Sequence, residues 1–208
     1  MSAEEHIITP AYLWFDTEFT GLDLDDAHLL QVALFTTDAN LNRKTTTDRD
    51  VNLCIKLEPD AQVSDWVEQN LADLLAQCRS TEAVTVDEAD RRLAKLVDET
   101  VGQNTDITLR PVLAGNTVHM DMALARKFLP QFSERLHYRL LDVSSLKLLW
   151  NDWLHEEPFE KDNAKIVRRF LPDSFTLPSS AVHDAYFDIH ASLAELNYYR
   201  TFKTFSIA

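Results

Sequence analysis

Asp16 and Glu18 stand two positions apart inside the otherwise apolar run LWFDTEFTGLD, residues 13–23. A strand alternates its side chains, so Trp14, Asp16, Glu18 and Thr20 share one face while Leu13, Phe15, Thr17 and Phe19 share the other. Two carboxylates that close repel each other and resist desolvation unless a cation, a proton or open water compensates them. The pair is therefore either a solvent-facing acidic patch on an edge strand or half of a divalent-metal site. Two further acids, Asp121 in GNTVHMDMALARKFLP and Asp188 in VHDAYFDIHASLAELNYY, stand in helical settings, and His183 lies five residues before Asp188. Singly, each has a plainer reading. Asp121 suits a helix N-terminus through the macrodipole, and a lone histidine such as His183, His119 or His190 is usually a hydrogen-bonded surface residue. Asp184 competes with Asp188 as a ligand, because positions i and i+4 share a helix face.

Regular elements must bring these residues together. Residues 11–19, 28–37 and 50–57 are rich in β-branched, aromatic and aliphatic side chains with turn formers between them, which predicts three consecutive strands. Helical spacing of apolar residues predicts helices over 63–78 and 85–101. PVLAG, residues 111–115, reads as a short strand leading into a helix capped by Asn116 or Thr117 and ending before Pro130. HYRLLDVSSLKLLWNDWL, residues 137–154, reads as strand, turn and helix, with Trp150 and Trp153 packed under the helix. Residues 155–180 open with a charged loop and form the least regular segment. Residues 181–202 form a long amphipathic helix with Ser179 or Ser180 as its cap and Asp184 in its first turn. Strands first, then strand and helix in alternation, indicate an α/β fold with a mixed central β-sheet flanked by α-helices.

Composition narrows the class. A chain of 208 residues with 45% hydrophobic content is expected to form one globular domain over 1–208, with 1–10 as a tail. The net charge of −14 opposes proteins that track long nucleic acid by neutralising phosphates. A small anionic substrate stays compatible if a few cations or bound metals sit in the site. Only three glycines occur, so no glycine-rich phosphate loop is present. Cys54 and Cys78 lack CxxC spacing, which excludes a zinc ribbon and a disulfide framework, and they read as reduced thiols of a cytoplasmic protein. The acidic start MSAEEHIITPAY is unlike a signal peptide, and no apolar run approaches the roughly 20 residues of a membrane span. A soluble, intracellular protein with no membrane partner is expected.

The D-x-E of FDTEFTGL, the Asp of LAGNTVHMD and the H-x4-D of HDAYFD occur in order, with TDANLN, LHYRLLDVSSLK and SLAELNYYR spread over nearly the whole chain. This set resembles the exonucleases of the DEDD superfamily in the subgroup that carries a histidine, and within it the oligoribonucleases. The resemblance implies an RNase H-like exonuclease fold, a homodimer, and 3′→5′ hydrolysis of very short oligoribonucleotides to 5′-mononucleotides. It implies that Asp16, Glu18, Asp121 and Asp188 hold two divalent ions, Mg²⁺ or Mn²⁺, and that His183 is the general base. The chemistry accounts for these residue types, since hard cations need anionic oxygens and water needs a base that titrates near neutrality. The resemblance further implies that Leu22 is an apolar wedge between the last bases and that Trp66 stacks on a base. Thr117 then joins Tyr138 and Arg139, reaching from the second protomer, in a cap on the 5′ phosphate.

The chain departs from the family pattern at three places. Leu71 stands where a His usually follows the stacking Trp, Met122 and Ala123 replace a basic pair, and the segment before His183 is longer and lacks its usual Lys pair. These departures bear on substrate length. A broader DEDD exonuclease trimming longer RNA or DNA 3′ ends stays open, as do a non-catalytic binding module of the same fold and a carboxylate-based phosphatase or nucleotide hydrolase.

Overall fold

The computed structural model describes residues 11–179 and 183–201; the expected tail 1–10 and Ser180 lie outside them. Strands β1 (Tyr12–Phe19), β2 (Leu29–Thr37) and β3 (Val51–Cys54) form an antiparallel meander. Helices α1 (Asp65–Asn70), α2 (Ala72–Cys78) and α3 (Val86–Thr100) follow, then β4 (Val112–Gly115), α4 (His119–Phe128) and α5 (Pro130–Ser133). Strand β5 (Leu140–Asp142), α6 (Val143–Leu149) with a π-helical extension Trp150–Leu154, α7 (Ala164–Phe170) and α8 (Ala185–Thr201) complete the chain.

The sheet order is β3-β2-β1-β4-β5, with β4 and β5 parallel to β1. Strand β1 is therefore central, and the reading of Asp16 and Glu18 as an edge-strand patch is excluded. The parallel pairing of β1 with β4 spans only Tyr12–Trp14. Asp16 and Glu18 thus emerge beyond it at the carboxyl edge of the parallel strands, where α/β sheets leave a crevice. Gly115 ends β4 at this point because a Cβ there would lie 2.9 Å from the Phe15 carbonyl oxygen.

The expected alternation along β1 holds. Leu13 and Phe15 face a core shared with Leu93, Val97, Leu124 and Phe132 of α3, α4 and α5. Trp14 faces a second core with Trp150 and with Ile189, Leu193 and Tyr199 of α8. Asp16 and Glu18, in phase with Trp14, consequently point to the α8 side. A third, smaller core holds Leu30, Leu57, Val67, Leu71, Leu74, Leu75 and Cys78.

Several elements differ from expectation, each for a local reason. The helix over 63–78 breaks at Leu71, whose backbone leaves helical geometry (φ −121°, ψ 31°) and whose side chain is buried in the third core. The third strand ends at Cys54, and Ile55 instead bridges to Val84. Neither Asn116 nor Thr117 caps α4 through its side chain: Thr117 adopts φ 55°, and Asn116 reaches to Glu195. Trp150 is buried as expected, but Trp153 projects to solvent at 74% exposure. Helix α8 starts at Ala185, not 181, with Asp184 rather than Ser179 just before it, accepting from the backbone N–H groups of Tyr186 and Phe187 at 3.1 and 3.0 Å. It is buried on almost every side rather than amphipathic, because α6, the π-helical extension and α7 cover its outer face. His190 is accordingly a core residue and not a surface one: burial pushes its imidazole down to about 4, and Nδ1 lies 2.7 Å from the Tyr186 carbonyl oxygen.

Candidate active site

Three elements converge at the carboxyl edge: the end of β1 with Asp16 and Glu18, the first turn of α4 with Asp121, and the first turn of α8 with Asp188. Asp121 is joined to β1 directly. Its Oδ1 accepts from the Thr17 backbone N–H at 2.9 Å and from the Thr17 hydroxyl at 2.6 Å. Thr17, pointing away from the Asp16 face, thereby holds the α4 carboxylate against the strand. The start of α8 is held by Gln31 of β2, which donates from Nε2 to Asp184 at 3.2 Å and accepts from the Ala185 N–H at 3.1 Å.

The electrostatics of the cluster are adverse to charge. Burial, reinforced by repulsion from Asp188 and Asp121, pushes Glu18 up to about 8. Burial pushes Asp121 up to about 7 despite the two Thr17 hydrogen bonds that favour its anion. Burial, then repulsion from Asp121 and Asp188, holds Asp16 well above the usual carboxylate range. Among the described residues one cation meets these acids: Lys161 Nζ lies 2.9 Å from Asp188 Oδ1. Burial opposes its charge, but the carboxylates of Asp188 and Asp16 outweigh that and raise its pKa.

His183 sits just outside α8 in a left-handed conformation (φ 66°) and not within the expected helix. Its backbone N–H donates to Asp188 Oδ2 at 3.1 Å, and its ring meets Trp66 edge-on at 5.2 Å between centroids. Glu18, His183 and Asp188 each offer a ligand atom within 4.8 Å of the other two. Carboxylate oxygens suit Mg²⁺ or Mn²⁺, the imidazole stands beside them, and the raised acids are groups that a bound cation would stabilise in their charged form. The residues present fit a divalent ion.

Beside the acids opens a cavity of about 520 Å³, bordered by Glu18, Gly21, Leu22, Ser64 and Trp66. Leu22 is 83% exposed and Trp66 half exposed, unlike core residues. The Ser64 N–H donates to the Thr20 carbonyl at 2.9 Å, tying the start of α1 to the end of β1. Lys127 Nζ donates to the carbonyls of Leu24 and Asp25 at 2.8 and 2.7 Å, bracing the loop behind Leu22.

Thr117 stands at the same edge, its N–H donating to Asp142 Oδ1 and Ser144 Oγ, both at 3.0 Å. Tyr138 and Arg139 do not join the site within this chain. They precede β5, whose Leu140 is in register with Leu113 and so with Leu13. That register places Tyr138 roughly 16 Å from Asp16 along the strand direction, at the opposite end of the parallel strands. The departures Leu71 and Met122 are buried core residues, while Ala123 is exposed.

Sequence reasoning missed Thr17, Gln31, Lys161, and the pair of half-buried Asn116 and buried Glu195, joined at 2.9 Å with Tyr199 also donating to Glu195 at 2.7 Å. A buried-facing acid seven residues after Asp188 was a usable signal for Glu195. Lys161 carried none, being one charge among many in HEEPFEKDNAK.

A mixed five-stranded sheet flanked by helices, with acids from β1, α4 and α8 gathered at its carboxyl edge, defines the class as an RNase H-like nuclease. The exonuclease family model of RNase T matches residues 13–196, and the chain belongs to that exonuclease family. It is 33% identical over 192 residues to the human mitochondrial oligoribonuclease, covering 90% of this chain and 71% of that one. Among solved structures, E. coli exonuclease I in complex with a dT13 oligonucleotide superposes with a TM-score of 0.65 at 14% identity, covering 93% of this chain and 42% of that one. The Mg²⁺- and Mn²⁺-bound form of S. pombe Pop2p gives 0.59 at 11% identity, covering 96% and 86%. Among the described residues, no helix is long and apolar enough to cross a membrane.

Proposed function

We propose that this protein is a 3′→5′ exoribonuclease that converts very short oligoribonucleotides into 5′-mononucleotides, using two divalent ions, Mg²⁺ or Mn²⁺. The observation that carries the reading is the convergence of Glu18, His183 and Asp188 donors within 4.8 Å, beside a cavity edged by the exposed Leu22 and Trp66. Asp16, Glu18, Asp121 and Asp188 would hold the ions, which would supply Lewis-acid polarisation of the phosphoryl group and a more acidic water. Thr17 positions Asp121 for this task. His183 takes the proton from the attacking water; its exposed ring, edge-on to Trp66 and close to Glu18 and Asp188, suits that role. Trp66 stacks on a terminal base, which is sequence-tolerant because every base has a π-face, and Leu22 wedges beside it.

Thr117 contacts the 5′ phosphate together with Tyr138 and Arg139 of the partner subunit in a homodimer. The strand register supports a contribution in trans, since in one chain these two residues lie at the far end of the sheet. Exposed Leu148 and Trp153 offer further apolar surface for such an association. The free thiols of Cys54 and Cys78 suit a reducing compartment, the cytoplasm.

The test is a length series: protein with Mg²⁺ or Mn²⁺ and 5′-labelled RNA from dinucleotide to long oligomer, with matched DNA, followed over time. Fastest loss of the dinucleotide, with 5′-mononucleotide products and stalling on long RNA, is expected. Equal or faster trimming of long RNA or DNA replaces the reading by a broader 3′-end exonuclease, and release of phosphate alone replaces it by a phosphatase.

A further inference from the structure

Lys161 belongs to the longer segment 155–180, yet its ammonium lies in the carboxylate cluster rather than in solvent. The loop that delivers it is anchored on both sides. Two residues before it, Phe159 is buried in the second core, its ring 5.5 Å from that of Tyr198 and 6.1 Å from that of Phe170. The Glu157 carbonyl accepts from Trp150 Nε1 at 3.0 Å and from the Tyr198 hydroxyl at 2.7 Å. Two residues after it, Asn163 caps α7 through the Lys165 N–H. A lysine held this way gives up rotamer freedom and hydration, and only its carboxylate partners offset that loss.

Both oxygens of Asp188 are engaged, Oδ1 by Lys161 and Oδ2 by the His183 N–H. A divalent ion on Asp188 would therefore stand within a few ångströms of the ammonium. Like charges that close repel at a protein-surface dielectric, and a divalent ion doubles the repulsion of a single charge. The ammonium and an ion on Asp188 therefore oppose one another at the same carboxylate.

We propose that Lys161 is an internal competitor for the divalent ion, occupying Asp188 in the metal-free protein and leaving it when the ion binds. This rests on the reading of the carboxylates as a metal site. The lysine stays protonated throughout; it moves, and no bond is made or broken. Uptake of the ion is then weaker than the carboxylates alone would give, and it reorganises the loop between Phe159 and Asn163.

Two measurements test it, neither using turnover. Mn²⁺ titration calorimetry compares wild type with Lys161→Gln, and amine-reactive labelling read by mass spectrometry follows Lys161 in the wild type with and without Mn²⁺. Competition requires roughly tenfold or tighter binding by K161Q, because a competing cation has been removed. It also requires faster labelling of Lys161 once Mn²⁺ is present, with the exposed Lys56 and Lys95 unchanged. Equal or weaker Mn²⁺ binding by a folded K161Q overturns the proposal, as does labelling indifferent to Mn²⁺, which decides the matter even if K161Q does not fold. Absence of Mn²⁺ binding to wild type and variant alike overturns the metal reading itself.

Discussion

Glu18→Gln should stabilise the metal-free protein while removing a carboxylate proposed to hold a metal ion. In the folded chain the Glu18 carboxyl keeps its proton up to about pH 8, whereas in the unfolded chain it ionises near 4.5. Linkage gives the direction: the folded state binds more protons between these values, so stability is fullest below about pH 4.5 and falls as pH rises toward 8. At pH 7.5 the unfolded carboxyl has gained about 4 kcal/mol by ionising, at about 1.4 kcal/mol per tenfold change. Glutamine matches the protonated carboxyl in shape and carries no such pH-dependent cost, so about 2–4 kcal/mol of stability should be recovered once partial solvent screening is allowed for. At pH 5 the same arithmetic leaves about 1 kcal/mol. Thermal melts in a chelator should therefore show the variant melting higher at pH 7.5, by roughly 2–4 °C per kcal/mol, with most of the difference gone at pH 5. Saturating Mg²⁺ should narrow or reverse the order at pH 7.5, because the wild type binds the ion more tightly. A variant that is less stable than wild type in chelator at pH 7.5, or equally stabilised at both pH values, would refute the assignment of Glu18 as a half-buried carboxyl held for a cation.

Three other substitutions separate the remaining roles. His183→Ala should lower kcat by about 10²–10⁴-fold with Mn²⁺ affinity reduced far less; an unaltered kcat in steady-state assays removes the base assignment. Thr17→Val keeps a β-branched side chain but deletes the 2.6 Å hydrogen bond to Asp121, so calorimetry should show metal affinity weakened by about 10–100-fold, and equal affinity would make that contact irrelevant to the site. Trp66→Ala should raise KM for a dinucleotide by roughly 5- to 150-fold, matching about 1–3 kcal/mol of base stacking; an unchanged KM would place the indole outside the substrate path.

The local pattern determined a good deal. Alternation along residues 13–19 put Asp16 and Glu18 on one face and Leu13 and Phe15 on the other, since a strand's side-chain direction depends only on parity. Helical periodicity located α3 and most of α8, and the ordered acids with His183 named a family without any coordinates. Periodicity could not see what lies on the outer side of an element, so α8 was expected to be amphipathic and His190 to meet solvent. Both expectations failed because α6, its π-helical extension and α7 cover that side.

Only the tertiary structure decided the rest, because long-range contacts leave no local trace. The sheet order made β1 central, turning the acidic pair from an edge-strand feature into a half-buried one at the head of the sheet. Thr17 and Asp121 are 104 positions apart and meet only when α4 packs against β1. The register of β5 sent Tyr138 and Arg139 away from the acids of their own chain. Lys161, indistinguishable in sequence from the solvated charges around it, enters the carboxylate cluster because Phe159 and Asn163 anchor the loop on either side. Parity and periodicity report which way a side chain leaves its own backbone; what it meets there depends on elements distant in the chain.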